Sequence, residues 1–429
     1  MPKSTKHNDT GAPCAIMHTC GGCEWLGLPY RKQLARKLNA MKELYAPLIT
    51  SRAWDVEVSP VIGMGMAGHP RSGASEADTG HGSPAATAPR SPRAFRHKAA
   101  TPFAPGPGHR VRCGFFARGT HDIIACPTCV VETTGARETL NDIAAIATEL
   151  QIPAYDEDRR CGELRYAILR AGWRTGERMV TLVTRTREVP RISDLANRLL
   201  ELHPEIVTIA HNINPRVTNA ILGGETHVIF GRDRMRDALL GCTFEISPTS
   251  FYQVNPEQTE TLYASAIEAA DLHDGDVVLD AYCGSGTIGL CAAASARAEG
   301  KDITLIGVER NAEGIRDAKR NAQLNSLEES SHFIARDATE YMLEAARTNT
   351  KIDALIMDPP RAGSTPAFIE AAAALAPRTI VYISCNPATQ VRDLELFAHK
   401  GYAATSLIPV DLFPHTSHTE MIATLRQHG

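Results

Sequence analysis

The sequence predicts an α/β protein whose last region is a mostly parallel sheet with helices on both faces. Three observations support this. From Asp276 onward, strand-like and helix-like segments alternate regularly. The strands are almost continuously apolar, which is typical of strands covered on both faces. The first of them runs into a glycine-rich turn, Asp280 to Gly289. Such sheets bind ligands at the carboxyl ends of their strands, so we expect the functional residues there.

The chain ahead of this region divides into three predicted parts. Residues 1–62 form a short segment that carries a cysteine cluster, and residues 63–94 are a low-complexity stretch of Gly, Ser, Ala, Pro and Thr. That stretch has too few apolar residues to offset its ordering entropy, so we predict a disordered insertion. Residues 95–247 predict a β-rich α+β domain, and residues 248–429 the last domain. Three segments of the central domain are typical of strands: RMVTLVTR, IVTIAHNIN and THVIFG. One is typical of a helix, ISDLANRLLELH.

The last domain begins with a predicted helix from Glu257 to Ala270. Its predicted strands read VVLDAYCG, TLIGVER, SHFIARD, DALIMDPP and TIVYISCNP, followed by ATSLIPVDLF and TEMIATLRQ. Its predicted helices read TIGLCAAASARAEG, NAEGIRDAKRNAQLN and FIEAAAALA. This alternation predicts the parallel sheet.

Composition limits the possible classes. The chain has 429 residues, 43% of them hydrophobic, and a net charge of −4, so two or three globular domains are expected and no strongly basic character is seen. No apolar leader and no run of about 18 apolar residues is present. We therefore expect a cytoplasmic monomer with no membrane partner. Eleven cysteines in such a chain predict core thiols, metal ligands or nucleophiles rather than disulfides.

A basic stretch follows the low-complexity segment. Between Thr87 and Gly119 there is no acidic residue, and the basic residues are Arg90, Arg93, Arg96, Lys98, Arg110, Arg112 and Arg118. A solvated loop and an arm that contacts phosphates are both compatible with this pattern.

Polar residues end the predicted strands. Gly284, Gly286 and Gly289 match a dinucleotide-type turn, so a nicotinamide cofactor is one open interpretation. Glu309 follows the second strand, where a carboxylate can bind a ribose diol. Asp337 follows the third strand, and Asp358 precedes Pro-Pro-Arg after the fourth.

The final strand ends supply candidate catalytic groups. Cys385 ends the fifth strand within Ser-Cys-Asn-Pro, where a thiol would lie at the functional edge. His415, His418 and Glu420 lie in a loop before the last strand and are candidate acids or bases. This loop could also bind a metal ion, but it offers no third ligand at a suitable spacing.

Taken together, these residues resemble the RNA uracil-C5 methyltransferase family, a Rossmann-like class I group that uses S-adenosylmethionine. The matching segments are FEISPTSFYQVNPEQTETLY (244–263), VLDAYCGSGTIGL (278–290), GVERNAEGIRDAKRNA (307–322), MDPPRAG (357–363), YISCNPATQVRDL (382–394) and LFPHTSHTEMIATL (412–425). Weaker similarity continues toward the N-terminus through NINPRVTNAILGGE and FRHKA.

The resemblance implies roles for individual residues. The nucleophile is Cys385 and the base is Glu420. The residues implied to hold S-adenosylmethionine are Gln253, Tyr282, Glu309, Asp358 and Asp337. The resemblance to the rRNA-modifying members implies a [4Fe–4S] cluster on Cys14, Cys20, Cys23 and Cys126, with Cys129 as an alternative fourth ligand and zinc as an alternative metal.

The expected reaction is methylation of uracil C5 in RNA. A thiolate that adds to C6 makes C5 nucleophilic, and a base must later remove the C5 proton. His415 and His418 are the rival bases. The cysteine cluster favours 23S rRNA as the substrate, with tRNA as the alternative and cytosine C5 as a further one. A nicotinamide-dependent oxidoreductase or a non-catalytic RNA-binding iron–sulfur protein would leave Cys385 and Glu420 without a use.

Overall fold

The computed structural model describes residues 14–65, 92–117, 119–218 and 220–428. The predicted insertion lies outside the described residues over 66–91. The first described elements are a short helix α1 (Met17–Cys20) and a long helix α2 (Tyr30–Arg52). Tyr45 and Leu48 of α2 pack into the core of the last domain, so the N-terminal segment is anchored to that domain.

The central region is a seven-stranded sheet in the order β3-β2-β1-β4-β5-β6-β7. Every neighbouring pair is antiparallel except β5 and β6, which are parallel. The strands are β1 (Lys98–Pro105), β2 (Val111–Phe116), β3 (Ile123–Ala125), β4 (Leu164–Ala171), β5 (Arg178–Thr184), β6 (Ile206–Ile213) and β7 (Glu225–Gly231). Helices α3 (Ala136–Glu149) and α4 (Ile192–Leu202) share a buried core with this sheet, through residues such as Leu140 and Leu199.

A two-stranded hairpin precedes the last domain, formed by β8 (Met235–Leu239) and β9 (Cys242–Ile246). Met235, Phe244 and Ile246 of the hairpin pack into a core of the last domain rather than into that of the central sheet. The hairpin precedes residue 248, where the last domain is predicted to begin, but its side chains pack against the last domain.

The last domain is a second seven-stranded sheet, in the order β12-β11-β10-β13-β14-β16-β15. Its strands are β10 (Val277–Ala281), β11 (Thr304–Glu309), β12 (Ser331–Ala335), β13 (Ala354–Met357), β14 (Thr379–Ser384), β15 (Tyr402–Val410) and β16 (Glu420–Gln427). Strands β10 to β14 are parallel, whereas β16 runs antiparallel between β14 and β15. The strand order reverses between β10 and β13, which creates a crevice at their carboxyl ends.

Helices cover this sheet on both faces. They are α5 (Pro256–Ala270), α6 (Thr287–Ala298), α7 (Ala312–Leu324), α8 (Ala338–Thr348), α9 (Pro366–Leu375) and α10 (Pro387–His399). Neighbouring residues of one strand enter different cores: Val278 belongs to one buried cluster and Leu279 to the other. Because alternate side chains of a strand point to opposite faces, the two clusters lie on the two sides of the sheet.

The predicted fold class is confirmed, and the named strands and helices of the last domain all form. The elements that were not predicted are helices α1, α2, α3, α8 and α10, the strands β1 to β4 of the central sheet and the hairpin of β8 and β9. Among the described residues, no helix combines the length and the apolar character needed to cross a membrane.

Candidate active site

The glycine-rich turn after β10 lies at the crevice and opens helix α6. Gly286 adopts a φ of +76° as the residue before the helix, a conformation that favours glycine. A Cβ atom at Gly289 would lie 2.7 Å from Oδ2 of Asp280, and the Gly289 amide donates to the same oxygen at 3.0 Å. The glycine therefore lets the first helical turn approach the strand end closely.

Asp280 is the buried carboxylate beneath this turn. Burial, opposed by the Gly289 hydrogen bond and assisted by the carboxylates of Asp358 and Glu309, raises its pKa to about 8. Its Oδ1 atom is buried and has no hydrogen-bond partner among the described residues. An unpartnered buried carboxylate oxygen can accept a hydrogen bond from a ligand or a water molecule.

Tyr282 follows β10 in the left-handed region, with a φ of +66°. Its hydroxyl lies 2.9 Å from the Ser364 hydroxyl, and its ring packs 5.6 Å from the Phe368 ring. A non-glycine residue at positive φ is uncommon and is held by its surroundings. The tyrosine is thus fixed at the strand end by contacts from the loop and helix that follow β13.

Two further predicted acids lie at neighbouring strand ends. Glu309 ends β11, and its Oε1 accepts the Asn311 amide at 2.7 Å. Asp337 caps α8, because its Oδ1 accepts the amides of Thr339 and Glu340 at 2.9 and 3.3 Å. Asp337 therefore has a structural use in addition to the ligand contact that the resemblance implies.

Gln253 lies in the segment that joins β9 to α5. The neighbouring Asn255 caps α5 and donates from Nδ2 to the Leu412 carbonyl at 3.0 Å. The Val254 carbonyl accepts the His97 amide at 2.7 Å. Gln253 itself is half-buried. Contacts on both sides thus fix this segment between the central sheet and the loop before β16.

Cys385 and Glu420 lie side by side at the same edge. Strands β14 and β16 are antiparallel and pair Ser384 with Met421. Cys385 and Glu420 are each one residue further along, at the position of the next pair. Residues directly opposite in an antiparallel pair are close neighbours on one face. The structure therefore brings together the predicted nucleophile and the predicted base.

Burial and the neighbouring carboxylates raise the pKa of both Cys385 and Glu420. Burial raises the pKa of the Cys385 thiol, and the Glu420 and Asp358 carboxylates add to it, while Arg361 lowers it by its charge and a hydrogen bond. Burial also raises the pKa of Glu420 to about 8, assisted by Asp358 and opposed by Arg361 and Lys37. Burial alone raises the pKa of Asp358 to about 7.

The two histidines that rival Glu420 differ in their surroundings. His415 is fully buried, accepts through Nδ1 from the Gln33 side-chain amide nitrogen at 3.1 Å, and donates through Nε2 to the Pro92 carbonyl at 2.8 Å. Burial lowers its pKa, which favours the neutral ring. His418 is exposed. Both ring nitrogens of His415 are therefore hydrogen-bonded within the protein, and these bonds stabilise the loop between β15 and β16.

A buried ion pair joins α2 to the loop between β15 and β16. Lys37 and Asp411 are joined by a 2.6 Å contact between Nζ and Oδ1, and both side chains are fully buried. Nζ of Lys37 also donates to the carbonyls of Phe413 and His418. Tyr30 donates to Oδ2 of Asp411 at 2.8 Å. These residues were not predicted to be functional, although the spacing of Tyr30, Gln33 and Lys37 is that of one helix face.

The cysteines of the predicted cluster influence one another. Burial, together with the charges of Cys129, Cys20 and Cys14, raises the pKa of Cys23 to about 12. Cys126 donates to Cys129, which raises the pKa of Cys126 and lowers that of Cys129 to about 7. Within the described ranges, no three ligand side chains are arranged to hold a metal ion. The thiols nevertheless share one neighbourhood, and their chemistry fits a metal or an iron–sulfur cluster.

The chain is similar to known RNA methyltransferases over nearly its whole length. A model of the tRNA (uracil-5-)-methyltransferase family matches residues 224–428. An RNA methyltransferase of Bacillus cereus is 34% identical over 414 residues, covering 96% of this chain and 82% of that protein. One from Halalkalibacterium halodurans is 35% identical over 414 residues, covering 96% and 83%.

A solved structure shares the fold. The Pyrococcus abyssi tRNA (uracil-54, C5)-methyltransferase, crystallised with S-adenosyl-L-homocysteine, superposes with a TM-score of 0.72 at 24% identity and covers 94% of this chain and 85% of its own. Together, the relatives that match 96% of this chain and the family model over residues 224–428 mean that this chain is an enzyme of the RNA uracil-C5 methyltransferase family.

Proposed function

We propose that this protein transfers a methyl group from S-adenosylmethionine to C5 of a uridine in RNA, with Cys385 as the nucleophile and Glu420 as the base. The observation that carries the proposal is that Cys385 and Glu420 lie opposite one another, one residue beyond the Ser384–Met421 pair at the carboxyl edge of the sheet. A soft nucleophile beside a proton acceptor is what the two halves of this reaction require.

The nucleophile acts first. The Cys385 thiolate adds to C6 of the uracil, and the electrons of the C5–C6 double bond move toward the O4 carbonyl, so that C5 becomes nucleophilic. Arg361 is the cation that stabilises the thiolate, against burial and two carboxylates. C5 then forms a bond to the methyl carbon as the carbon–sulfur bond of the donor breaks.

The base completes the cycle. Glu420 accepts the C5 proton, the C5–C6 double bond re-forms, and the bond from C6 to the Cys385 sulfur breaks. A carboxylate with a pKa near 8 is a stronger proton acceptor than an ordinary one, and its rigid place at the start of β16 holds it toward Cys385. The loop from Asp358 to Arg361 supplies hydrogen-bonding groups for the uracil edge.

The cofactor residues fit the proposed donor. S-adenosylmethionine, when bound, supplies an electrophilic methyl group on a sulfonium. The Oδ1 atom of Asp280 supplies an unpartnered acceptor, and the bond from the Gly289 amide to Asp280 holds the N-terminus of α6 at the crevice. Glu309 would bind the ribose, and Gln253, Tyr282, Asp358 and Asp337 would complete the site.

A cysteine substitution tests this function directly. Cys385→Ala is expected to abolish 5-methyluridine formation, measured by mass spectrometry of digested RNA, while calorimetry finds unchanged affinity for S-adenosylmethionine. The exposed thiol Cys161 offers the matched control, and Cys161→Ala should methylate normally. Wild-type turnover by Cys385→Ala would refute the role of Cys385.

We further propose a [4Fe–4S] cluster on Cys14, Cys20, Cys23 and Cys126, which would tie the N-terminal segment to the central domain. The charges of Cys129, Cys20 and Cys14 act on Cys23, which supports the grouping of the N-terminal thiols with the Cys126–Cys129 pair. Cys126 is linked to them through its hydrogen bond with Cys129, and the effect of Cys129 on Cys20 and Cys23 keeps Cys129 as the alternative fourth ligand. Four thiolates are the usual ligands of such a cluster.

Iron analysis of anaerobically purified variants tests the cluster and its fourth ligand. Cys126→Ser is expected to lower the iron content and the visible absorbance strongly, with Cys129→Ser retaining both. The reverse result would assign Cys129 instead. A colourless wild-type protein that contains zinc and no iron would refute the cluster.

For the RNA class we propose 23S rRNA, acted on in the cytoplasm, because the cysteine set matches the rRNA-modifying members of the family. The tRNA named for the Pyrococcus abyssi enzyme is the alternative. Mapping 5-methyluridine in rRNA and tRNA from a deletion strain decides between them. Loss of the mark from tRNA alone would overturn the rRNA proposal.

A further inference from the structure

Three cationic side chains gather where β1 and β4 meet. Lys98 opens β1 and pairs directly across the strands with Arg170 of β4. Arg96 precedes β1, and its Nε donates to the Lys98 carbonyl at 3.2 Å, which draws the guanidinium toward the strand end. We refer to Arg96, Lys98 and Arg170 as the basic cluster.

Within the described residues, no carboxylate forms an ion pair with the basic cluster. The nearby acidic side chains interact with other residues. Glu132 forms an ion pair with Arg137. Asp237 accepts hydrogen bonds from the Arg174 amide and the Tyr252 hydroxyl. Arg170 is only 6% exposed, and its buried Nε atom has no hydrogen-bond partner. The cluster therefore holds charge and hydrogen-bonding capacity that the described chain does not use.

This arrangement is unfavourable for the protein alone. Like charges directly opposite on paired strands destabilise a sheet. Burial and the charges of Arg170 and Arg96 lower the pKa of Lys98 to about 8, and burial lowers that of Arg170 to about 10. An anion placed among the three cations would relieve this repulsion and satisfy the unpartnered Nε atom.

The basic cluster lies next to the active-site segments. Arg170 donates to the Ser250 carbonyl, and the His97 amide donates to the Val254 carbonyl, so both strands border the segment that carries Gln253. On the other side, the Phe95 ring lies 6.1 Å from the His415 ring, in the loop that leads to Glu420.

We propose that the basic cluster of Arg96, Lys98 and Arg170 binds a backbone phosphate of the substrate RNA beside the target uridine. The inference rests on the proposed function in that the substrate is RNA. A phosphodiester oxygen accepts from guanidinium and ammonium donors, and such contacts fix the position of the nucleic acid without reading its sequence. The cluster would hold the strand so that one base can reach Cys385.

Salt-dependent RNA binding tests this site without relying on turnover. For a single-stranded RNA, each phosphate contact contributes about 0.7 to the slope of log K against log salt concentration. The variants Lys98→Gln and Arg96→Gln are each expected to weaken binding and to reduce that slope. Lys301→Gln removes the same charge at the amino edge of the last sheet, where Lys301 pairs with Glu299, and should leave the slope unchanged.

A stability measurement separates a ligand role from a structural one. Since Lys98 faces two cations, Lys98→Gln should raise the melting temperature of the free protein while RNA affinity falls. Unchanged RNA affinity and slope in both variants, or an equal loss in Lys301→Gln, would overturn the proposal. Failure of the proposed function would instead appear as a wild-type protein that binds RNA with the expected salt slope but forms no 5-methyluridine.

Discussion

At the scale of single residues, the reactivity of Cys385 depends on the charges that surround it. Glu420 and Asp358 raise its pKa, and Arg361 is the opposing cation. The same guanidinium lowers the pKa of Glu420. Arg361 therefore acts on both the proposed nucleophile and the proposed base, each of which must be deprotonated in the proposed reaction.

Replacement of Arg361 should change the pH dependence of the enzyme. In Arg361→Gln the pKa values of Cys385 and Glu420 rise, so the acidic limb of the kcat/KM profile is expected to move to higher pH. Activity at pH 7 falls and partly recovers in alkaline buffer. Arg310, an exposed arginine that follows β11 at the same edge, provides the control, and Arg310→Gln should keep the wild-type profile. If Arg361→Gln lowers the maximal kcat/KM but leaves the acidic limb of the profile at its wild-type pH, this electrostatic role is contradicted.

At the scale of elements, helix α2 supports the loop between β15 and β16. Lys37 reaches the carboxylate of Asp411 and two loop carbonyls, while Gln33 binds His415. These contacts place the N-terminal segment behind the strand that begins with Glu420. The loop geometry thus depends on a helix far away in sequence.

Removal of one partner of this ion pair should be costly. Lys37→Met leaves Asp411 buried without its cation, and breaking a buried pair in this way costs about 3–5 kcal/mol. Urea unfolding of Lys37→Met and of Lys37→Met/Asp411→Leu measures the effect. The double variant should be more stable than the single one, because no charge is left unpaired. A single variant as stable as the wild type would show that the pair is unimportant.

The elements differ in how far the sequence predicted them. Strands β10 to β14 were predicted because buried parallel strands are uninterrupted apolar runs, and Cys385 and Glu420 were recognised from their motifs at strand ends. Helix α2 was missed because Gln33 and Lys37 interrupt its apolar face. Their partners, His415 and Asp411, are distant in sequence, so no local pattern explains them. The pairing of Lys98 with Arg170 likewise follows only from strand register.

At the scale of the whole molecule, the active-site carboxyls link stability to pH. Burial raises the pKa of Asp280 and Glu420 to about 8 and that of Asp358 to about 7. Their values in the unfolded chain are about 4. Because the folded protein binds these protons more tightly, the stability they contribute is present below about pH 4 and is lost as the pH rises through about 7 to 8.

Thermal melting across a pH series checks this linkage. The melting temperature is expected to fall between about pH 5 and pH 8, as the buried carboxyls ionise. Glu420→Gln cannot ionise at this position and should show a shallower decline. A wild-type melting temperature that rises over this range, or a Glu420→Gln curve of equal slope, would contradict the assigned shifts.

Cys385 and Glu420 are proposed to act one after the other on the same uracil, and a trapped covalent intermediate is the sharpest test of that order. Glu420→Gln can add the thiol and transfer the methyl group but cannot remove the C5 proton. We predict that this variant, given RNA and S-adenosylmethionine, forms a covalent protein–RNA complex that survives a denaturing gel and whose mass includes the added methyl group. The complex should disappear in Glu420→Gln/Cys385→Ala. Normal turnover by Glu420→Gln, or an adduct that persists without Cys385, would contradict the account.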